Sequence, residues 1–306
     1  MATFNCLKTT LQHRISLKTI TVLILISAGV VCATLCTPAP ALEPLNASEV
    51  RAAPTRANLV ATFNSLKVRA AAGDSIAQDL LSEAYYYGRG TAVDVKLSLA
   101  WTRKSAAQGN GNAQSGMAHF YMAGKEVTQN YAEALRWAKL SAAQGNAKGE
   151  FHMGLAYKSG LGVEADDTTA LKWYLKSAAG GYYGAQINAG NMYAQGEAQP
   201  NGKPNYVEAL RFMRLAAAQN QDEGQASLAF HYNNGLGVKR DKTEAIRLYT
   251  IAAEHGHLES QKYLGDSYLT GDGVKIDLQK ARHFYHLAAQ QADADAVAAL
   301  KDLPKK

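Results

Sequence analysis

A glycine that recurs at a nearly constant interval is the feature that most constrains how this chain can fold. It lies at steps of 36, 36, 36, 39 and 36 residues, at Gly88, Gly124, Gly160, Gly196, Gly235 and Gly271. A tyrosine precedes each glycine by three residues, and a large apolar residue follows at the same steps, at Trp101, Trp137, Trp173, Phe212, Leu248 and Phe284. Such a period is typical of solenoids, in which one supersecondary unit stacks on the next. We therefore predict six copies of one unit.

Each copy is predicted to contain two helices. Ala77, Leu81 and Tyr85 share one face of a first helix, which the loop glycine ends in a left-handed conformation. A small residue after the leucine is expected to let the second helix approach the first. The position of Trp101 and its equivalents is expected to lie in the core between the helices. The second helix should begin at an N-cap residue, namely Asp94, Asn130, Asp166, Asn205, Asp241 or Asp277. It should end at Gly109, Gly145, Gly181, Asn220 or Gly256, and Glu133, Glu208 and Glu244 predict capping boxes in three copies.

This layout resembles the Sel-1-like repeat (SLR) family, whose pattern is A-x-x-x-L-G-x-x-Y-x-x-G-x-G-V-x-x-D-x-x-K-A-x-x-W-Y-x-x-A-A-x-x-G. The sixth copy keeps Leu264-Gly265, Tyr268, Gly271, Gly273-Val274, Asp277, Lys280-Ala281, Phe284-Tyr285 and Ala288-Ala289. The related tetratricopeptide repeat has a period of 34 and lacks the G-x-G-V loop. The resemblance covers roughly residues 74–292. It implies an α-solenoid that binds other proteins and, in most members, carries no chemistry of its own.

The predicted fold is therefore all-α, a right-handed α/α superhelical solenoid of six helix-turn-helix repeats with half-repeat caps. The predicted segments are a signal peptide (1–41), a linker (42–57), an N-terminal capping helix (58–73), repeats at 74–109, 110–145, 146–181, 182–220, 221–256 and 257–292, and a C-terminal cap and tail (293–306). The fourth repeat has a loop three residues longer than its counterparts. We interpret that insertion as a tolerated surface loop, the alternative being an extra contact at one edge.

The N-terminal segment predicts export. Lys8, Arg14 and Lys18 precede an apolar run, and an A-x-A site ends at Ala41. We expect cleavage there and a periplasmic or secreted protein. The alternative is an inner-membrane anchor through residues 19–36, which would be the chain's one membrane contact. All three cysteines lie in this segment, which separates the chain from the cysteine-rich SLR subfamily and its β-lactam-binding activity.

The sequence offers no motif for catalysis or for a cofactor. It lacks G-x-S-x-G, H-E-x-x-H, a phosphate-binding Walker loop and G-x-G-x-x-G. The pairs His255/His257 and His283/His286 have no third ligand beside them, so we interpret them as surface residues and expect no metal site. Of the 32 basic residues, 29 remain when Lys8, Arg14 and Lys18 are set aside, and they are nearly balanced by 26 acidic residues, which argues against a nucleic-acid partner.

The face of the first helix opposite Ala77, Leu81 and Tyr85 is predicted to line a concave groove. Its large or polar residues are Leu80, Tyr86, Tyr87, His119, Met122, Phe151, His152, Leu155, Ile187, Asn188, Asn191, Phe230, Asn233, Tyr263 and Leu269. We expect Phe151, Leu155, Ile187 and Phe230 to be apolar anchors for a partner, and His119, His152, Asn188 and Asn191 to hydrogen-bond it. The alternative is that superhelical curvature buries some of these side chains.

The function we predict is a non-catalytic scaffold or adaptor of the periplasm or cell envelope, monomeric, that binds a protein or peptide along this groove. The alternative from another class is a cell-wall-associated or β-lactam-type hydrolase. No catalytic constellation and no repeat cysteines support the hydrolase.

Overall fold

The computed structural model describes residues 56–304, and within them the chain forms fourteen helices and no strand. The predicted signal peptide, nearly all of the predicted linker and the last two residues lie outside the described residues. The helices are α1 (Arg56–Ala71), α2 (Ser75–Tyr87), α3 (Val95–Ala107), α4 (Gly111–Ala123), α5 (Tyr131–Ala143), α6 (Ala147–Ser159), α7 (Asp167–Ala179), α8 (Tyr183–Gln195), α9 (Tyr206–Ala217), α10 (Asp222–Asn234), α11 (Lys242–Glu254), α12 (Leu258–Thr270), α13 (Leu278–Gln290) and α14 (Ala294–Asp302).

The predicted all-α solenoid is confirmed. Helices α2 to α13 form six pairs, and each helix packs on the next along the chain. Helix α1 covers the first pair with Phe63 and Ala70, which join Ala77 and Leu81 in one buried cluster. Helix α14 covers the last pair with Ala296, packed in a cluster with Tyr285. None of the helices within residues 56–304 has both the length and the hydropathy that a membrane span requires.

The first helix ends in the same way in all six repeats. Gly160 ends α6 with φ of 65°, and the five equivalent glycines also adopt the left-handed conformation, as predicted. Every predicted N-cap is also confirmed, since its side chain accepts a backbone N–H of the first helical turn.

The predicted capping boxes are wrong. In a capping box the glutamate accepts the backbone N–H of the N-cap residue, but here another group accepts it. The N–H of Asn130 donates to the carbonyl of Tyr121 at 3.0 Å, and the other five N-caps bond the corresponding tyrosine. Glu133 instead accepts two bonds from Arg136, and Glu208 and Glu244 likewise pair with the arginine three residues later.

The predicted core position is confirmed in the last three repeats, where Phe212, Leu248 and Phe284 are buried, but in the third repeat the buried ring lies one residue further along than predicted. Trp173 is half-buried, with Lys176 over its ring, whereas Tyr174 is only 1% exposed. A Cβ atom at Gly154 would lie 2.5 Å from the Tyr174 ring, so the small residue after the leucine position makes room for this ring. Gly265 accommodates Tyr285 and Gly190 accommodates Met213 in the same way.

Polar contacts join the two helices of a repeat. Within each of the first three repeats a serine near the end of the second helix donates to the first turn of its partner helix, as Ser141 does to the Gly111 carbonyl at 2.7 Å. A buried glutamine of the first helix accepts a bond from an exposed glutamine at the same end of the repeat, as Gln114 does from Gln144. The third repeat replaces that pair by an ion pair between Glu150 and Lys176.

The first helices form the inner face of the stack. Helix α4 contacts α6, α6 contacts α8, and α8 contacts α10. Lys148 of the third repeat even donates to Glu83 of the first repeat, at 3.1 Å. Because helices on the inner side of a curved stack lie closest together, these contacts identify the first helices as the concave surface.

Candidate functional site

A pocket of about 240 Å³ lies on the concave face across the first three repeats. Its walls come from α2, α3, α4 and α6 and from the residue before α8. The lining residues are Asp79, Ser82, Glu83, Tyr86, Tyr87, Ser98, Thr102, Asn112, Ser115, Gly116, His119, Phe120, Lys148, His152 and Tyr182. We call this site the repeat 1–3 pocket.

Small residues form the floor of the repeat 1–3 pocket. The Ser82 hydroxyl lies 2.9 Å from the Ser98 hydroxyl and 2.6 Å from the Thr102 hydroxyl. In the third repeat the position of Thr102 is taken by Tyr174, whose ring fills the corresponding space. The first repeat has Thr102 in place of this large side chain, and the space that remains forms the pocket.

A row of rings crosses the pocket from one repeat to the next. The Tyr86 hydroxyl lies 3.1 Å from Nε2 of His119 and accepts a hydrogen bond from Lys125 Nζ at 2.9 Å. The His119 and His152 rings are 6.4 Å apart between centroids. Nδ1 of His152 lies 3.1 Å from the Ser115 hydroxyl. Each ring is thus held in place by contacts with a neighbouring repeat.

The two histidines of the pocket are neutral at pH 7. Burial lowers the pKa of His152 to about 3, with smaller contributions from His119 and Lys148. The His119 pKa is also lowered, first by desolvation of the ring against its neighbours and then by the Lys125 charge. The rings therefore contribute polar nitrogens and flat surfaces rather than positive charge.

Asp79 is the exceptional charge of the pocket. It is only 9% exposed, and its carboxylate has no hydrogen bond or ion pair with any residue in the described range 56–304. The pKa of Asp79 is raised to about 6, first by burial and then by repulsion from Glu83, while Lys148 opposes the shift. Glu83, by contrast, is paired with Lys148 at 3.1 Å. Buried charges are normally paired because their desolvation is costly.

The structure brings together four of the residues predicted to line the groove, namely Tyr86, Tyr87, His119 and His152. Phe151 and Leu155 are half-buried and pack against the cluster that contains Tyr174. The prediction that Ile187 faces solvent is wrong. It is 2% exposed, because the curvature closes neighbouring first helices over this position.

The remaining predicted groove residues lie apart from the repeat 1–3 pocket. Leu80 is exposed and lines a separate small apolar pocket beside Leu59 and Phe63 of α1. Phe230 is 51% exposed in the fifth repeat. Tyr263 donates to Asn233 at 2.9 Å. Asn188 hydrogen-bonds the Tyr174 side chain, and Asn191 is half-buried.

The predicted surface histidines outside the groove form no cluster. His255, His283 and His286 are exposed. His257 is the N-cap of α12, where its ring accepts the backbone N–H of Ser260. Across the described part of the chain, no group of three or more His, Cys, Asp or Glu residues is arranged to hold a metal ion.

The sequence prediction missed Asp79, Ser115, Lys148 and Tyr182. A signal for the pocket was present, because positions 102 and 138 carry small residues where the later repeats carry Tyr174, Met213, Tyr249 and Tyr285. Two small residues at the packing position of consecutive repeats indicate unfilled space. Asp79 is moreover the one acidic residue at its position in the six copies.

The model of the family described as "Sel1 repeat" matches six stretches of the chain, at residues 75–110, 111–146, 147–182, 184–221, 222–257 and 258–293. These matches cover more than half of the chain and coincide with the six helix pairs. The chain is a member of the Sel1 repeat family. Proteins of this family are generally non-catalytic protein-interaction scaffolds.

Solved structures with the same fold include other Sel1 repeat proteins. A Sel1 repeat protein from Oxalobacter formigenes is 26% identical, with a TM-score of 0.67 over 78% of this chain and 97% of that one. The protective antigen c5321 of uropathogenic Escherichia coli, which displays an SLR fold, is 30% identical with a TM-score of 0.62. The match covers 78% of this chain and 50% of the E. coli protein, so this Sel1 repeat protein spans half of that relative's length.

The immunity protein PA5088 of Pseudomonas aeruginosa shares the fold at 18% identity and a TM-score of 0.50, over 74% of this chain and 88% of its own. At that identity the likeness concerns the fold alone. Comparison with curated protein sequences gave no match.

Proposed function

We propose that this Sel1 repeat protein is an interaction scaffold that binds a protein or peptide partner on its concave face, centred on the repeat 1–3 pocket. One observation carries the proposal. The pocket holds Asp79, a buried carboxylate without a partner within residues 56–304, among rings that are already fixed in position. A preorganised concave site with an unpaired carboxylate is the arrangement expected where a ligand completes the contacts.

The size of the pocket favours a partner side chain over a small-molecule substrate. Its volume of about 240 Å³ lies below the ~300–1,000 Å³ usual for small-molecule sites. The groove continues beyond it over half-buried Phe151 and Leu155. A partner that inserts one residue into the pocket and lays its neighbours along the groove would use both features.

The scaffold proposal includes export to the periplasm or cell envelope. It rests on the basic start, apolar run and A-x-A site of residues 1–41. N-terminal sequencing of the exported protein should give Leu42 as the first residue, and finding Met1 there would indicate the uncleaved anchor.

Affinity capture with matched variants tests the scaffold proposal. The parent, Tyr86→Ala with His119→Ala, and Lys172→Glu on the exposed side of α7 are used to capture partners from envelope extract. We expect the pocket variant to lose the partners that the parent and the Lys172 variant retain, while all three keep the same helical circular dichroism. Retention of every partner by a folded pocket variant would contradict the proposal.

A further inference from the structure

We propose that the repeat 1–3 pocket recognises a basic side chain of the partner, an arginine, whose guanidinium pairs with Asp79. This inference rests on the proposed function, since it names the chemistry that the scaffold's pocket selects. It is carried by the geometry of the pocket and by the one carboxylate of its walls that has no ion pair within residues 56–304.

One carboxylate of the pocket has no ion pair. Three ionised side chains line the pocket, namely Asp79, Glu83 and Lys148. Glu83 contacts two cations, Lys148 at 3.1 Å and Arg89 at 3.9 Å. The histidines are neutral at pH 7. Asp79 is therefore the one ionised side chain of the lining without an ion pair in residues 56–304, and a cation of the partner would supply that contact.

The walls suit a planar cation. Tyr86, Tyr87 and Tyr182 line the pocket, and the faces of tyrosine rings attract cations. Lys125 already lies over the Tyr86 ring and Arg89 over the Tyr87 ring, so Tyr182 is the wall ring with no cation over it within residues 56–304. A guanidinium stacks on such rings and donates several hydrogen bonds in one plane, which an ammonium cannot do. The floor offers the hydroxyl oxygens of Ser82, Ser98 and Thr102 beside the carboxylate as acceptors.

A metal ion fits the pocket less well than an organic cation. Metal sites use several carboxylate, imidazole or thiolate ligands converging on one point. Within residues 56–304 no group of three such side chains converges, and Glu83 is already held by Lys148. The aromatic walls would also contribute nothing to metal coordination.

The test uses pentapeptides with one central residue between alanines, blocked at both ends. The central residue is arginine, lysine or citrulline, the last having nearly the shape of arginine without its charge. Binding to the full-length protein is measured by NMR titration. The matched variants are Asp79→Asn, which removes the pocket charge, and Asp302→Asn, which removes an exposed charge at the far end of the chain.

We expect the arginine peptide to bind about tenfold or more tightly than the citrulline peptide, the size of effect usual for a charged hydrogen bond. The lysine peptide should bind more weakly than the arginine peptide. Asp79→Asn should abolish the preference for arginine over citrulline, and Asp302→Asn should leave it unchanged. Both variants should retain the parent's helical circular dichroism.

Equal binding of arginine and citrulline, no detectable binding of arginine, or an arginine preference that survives Asp79→Asn would each overturn the inference. These outcomes are separable from failure of the scaffold proposal. If partners are lost by the Tyr86 and His119 variant but kept by Asp79→Asn, the scaffold stands and only the arginine assignment fails. If neither variant loses a partner, both proposals fail.

Discussion

The Tyr86 hydroxyl of the first repeat lies 3.1 Å from Nε2 of His119 in the second repeat. The contact joins two first helices across the concave face, and Lys125 holds the same hydroxyl from the other side. From His119 the row continues to His152 in the third repeat. Side chains from three repeats thus form one fixed surface. Because these side chains differ from repeat to repeat, the surface occurs at one place in the stack of similar units.

The buried aromatic of the third repeat provides a test of the packing. Tyr174→Ala should lower the free energy of unfolding by about 3–5 kcal/mol, because a fully buried large side chain is removed. Trp173→Ala should cost clearly less, since that ring is half-buried. Chemical denaturation of the two variants measures the difference. A larger loss for Trp173→Ala would show that the core has been assigned to the wrong residue.

The exchange of roles between Trp173 and Tyr174 illustrates what the sequence could and could not predict. The period, the loop glycines and the N-caps followed from local chemistry that every copy repeats. Which of two adjacent aromatics is buried depends on the rotation of one helix against its neighbour, and a single helix pattern does not determine it. Ile187 was misplaced for the same reason, because its burial depends on the curvature between repeats.

The pocket was harder still to predict, because it combines residues from distant copies. Glu83 and Lys148 are 65 positions apart and meet only through the curvature. Tyr86 and His119 were predicted to lie on one face, but their direct contact depends on how far α2 and α4 are offset. The small residues at positions 102 and 138 were the one local sign of open space.

The N-cap of α5 tests the corrected view of the helix starts. Asn130→Ala should destabilise the protein by about 1 kcal/mol, because the Asn130 side chain accepts the Glu133 backbone N–H. Glu133→Gln should cost about 0.5 kcal/mol or less, since the glutamate only forms an exposed pair with Arg136. Thermal and urea unfolding distinguish the two. If the glutamate variant lost as much as the asparagine variant, a capping box would be operating after all.

Gly160 tests the left-handed helix end. Its φ of 65° is unfavourable for a β-branched residue, so Gly160→Val should destabilise the protein by about 1 kcal/mol or more. Ser159→Val, one residue earlier in the regular end of α6, is the control and should cost less. Equal stability of Gly160→Val and the parent in urea would refute the assigned backbone conformation.

The buried charge of Asp79 predicts a pH-dependent stability difference. Because the folded pKa is raised to about 6 from an ordinary value of 3.8, ionisation of Asp79 opposes folding increasingly from pH 4 to pH 6, opposes it fully above pH 6 and has no effect below about pH 4. Asp79→Asn should therefore raise the free energy of unfolding by about 1–3 kcal/mol at pH 7.5. The gain should shrink to nothing as the pH falls to 4.

The comparison is made at each pH between parent and variant. The neutral His152 and His119 make the folded protein less stable as the pH falls below 6.5, in both proteins alike. Glu83 and Lys148 face Asp79 in both as well. The difference between the melting curves of parent and variant therefore reports the contribution of Asp79 ionisation to stability. A constant difference from pH 4 to 7.5 would show that the carboxylate does not titrate in this range.

Binding of a partner in the repeat 1–3 pocket is tested most directly by site-specific photo-crosslinking in the native organism. Benzoylphenylalanine replaces Tyr87, an exposed aromatic of the pocket wall, or Val207, an equally exposed residue on the second helix α9. We predict that the Tyr87 position forms a discrete crosslinked adduct that Asp79→Asn weakens, and that the Val207 position forms none. Adducts from Val207 and none from Tyr87, with both proteins folded, would contradict the account.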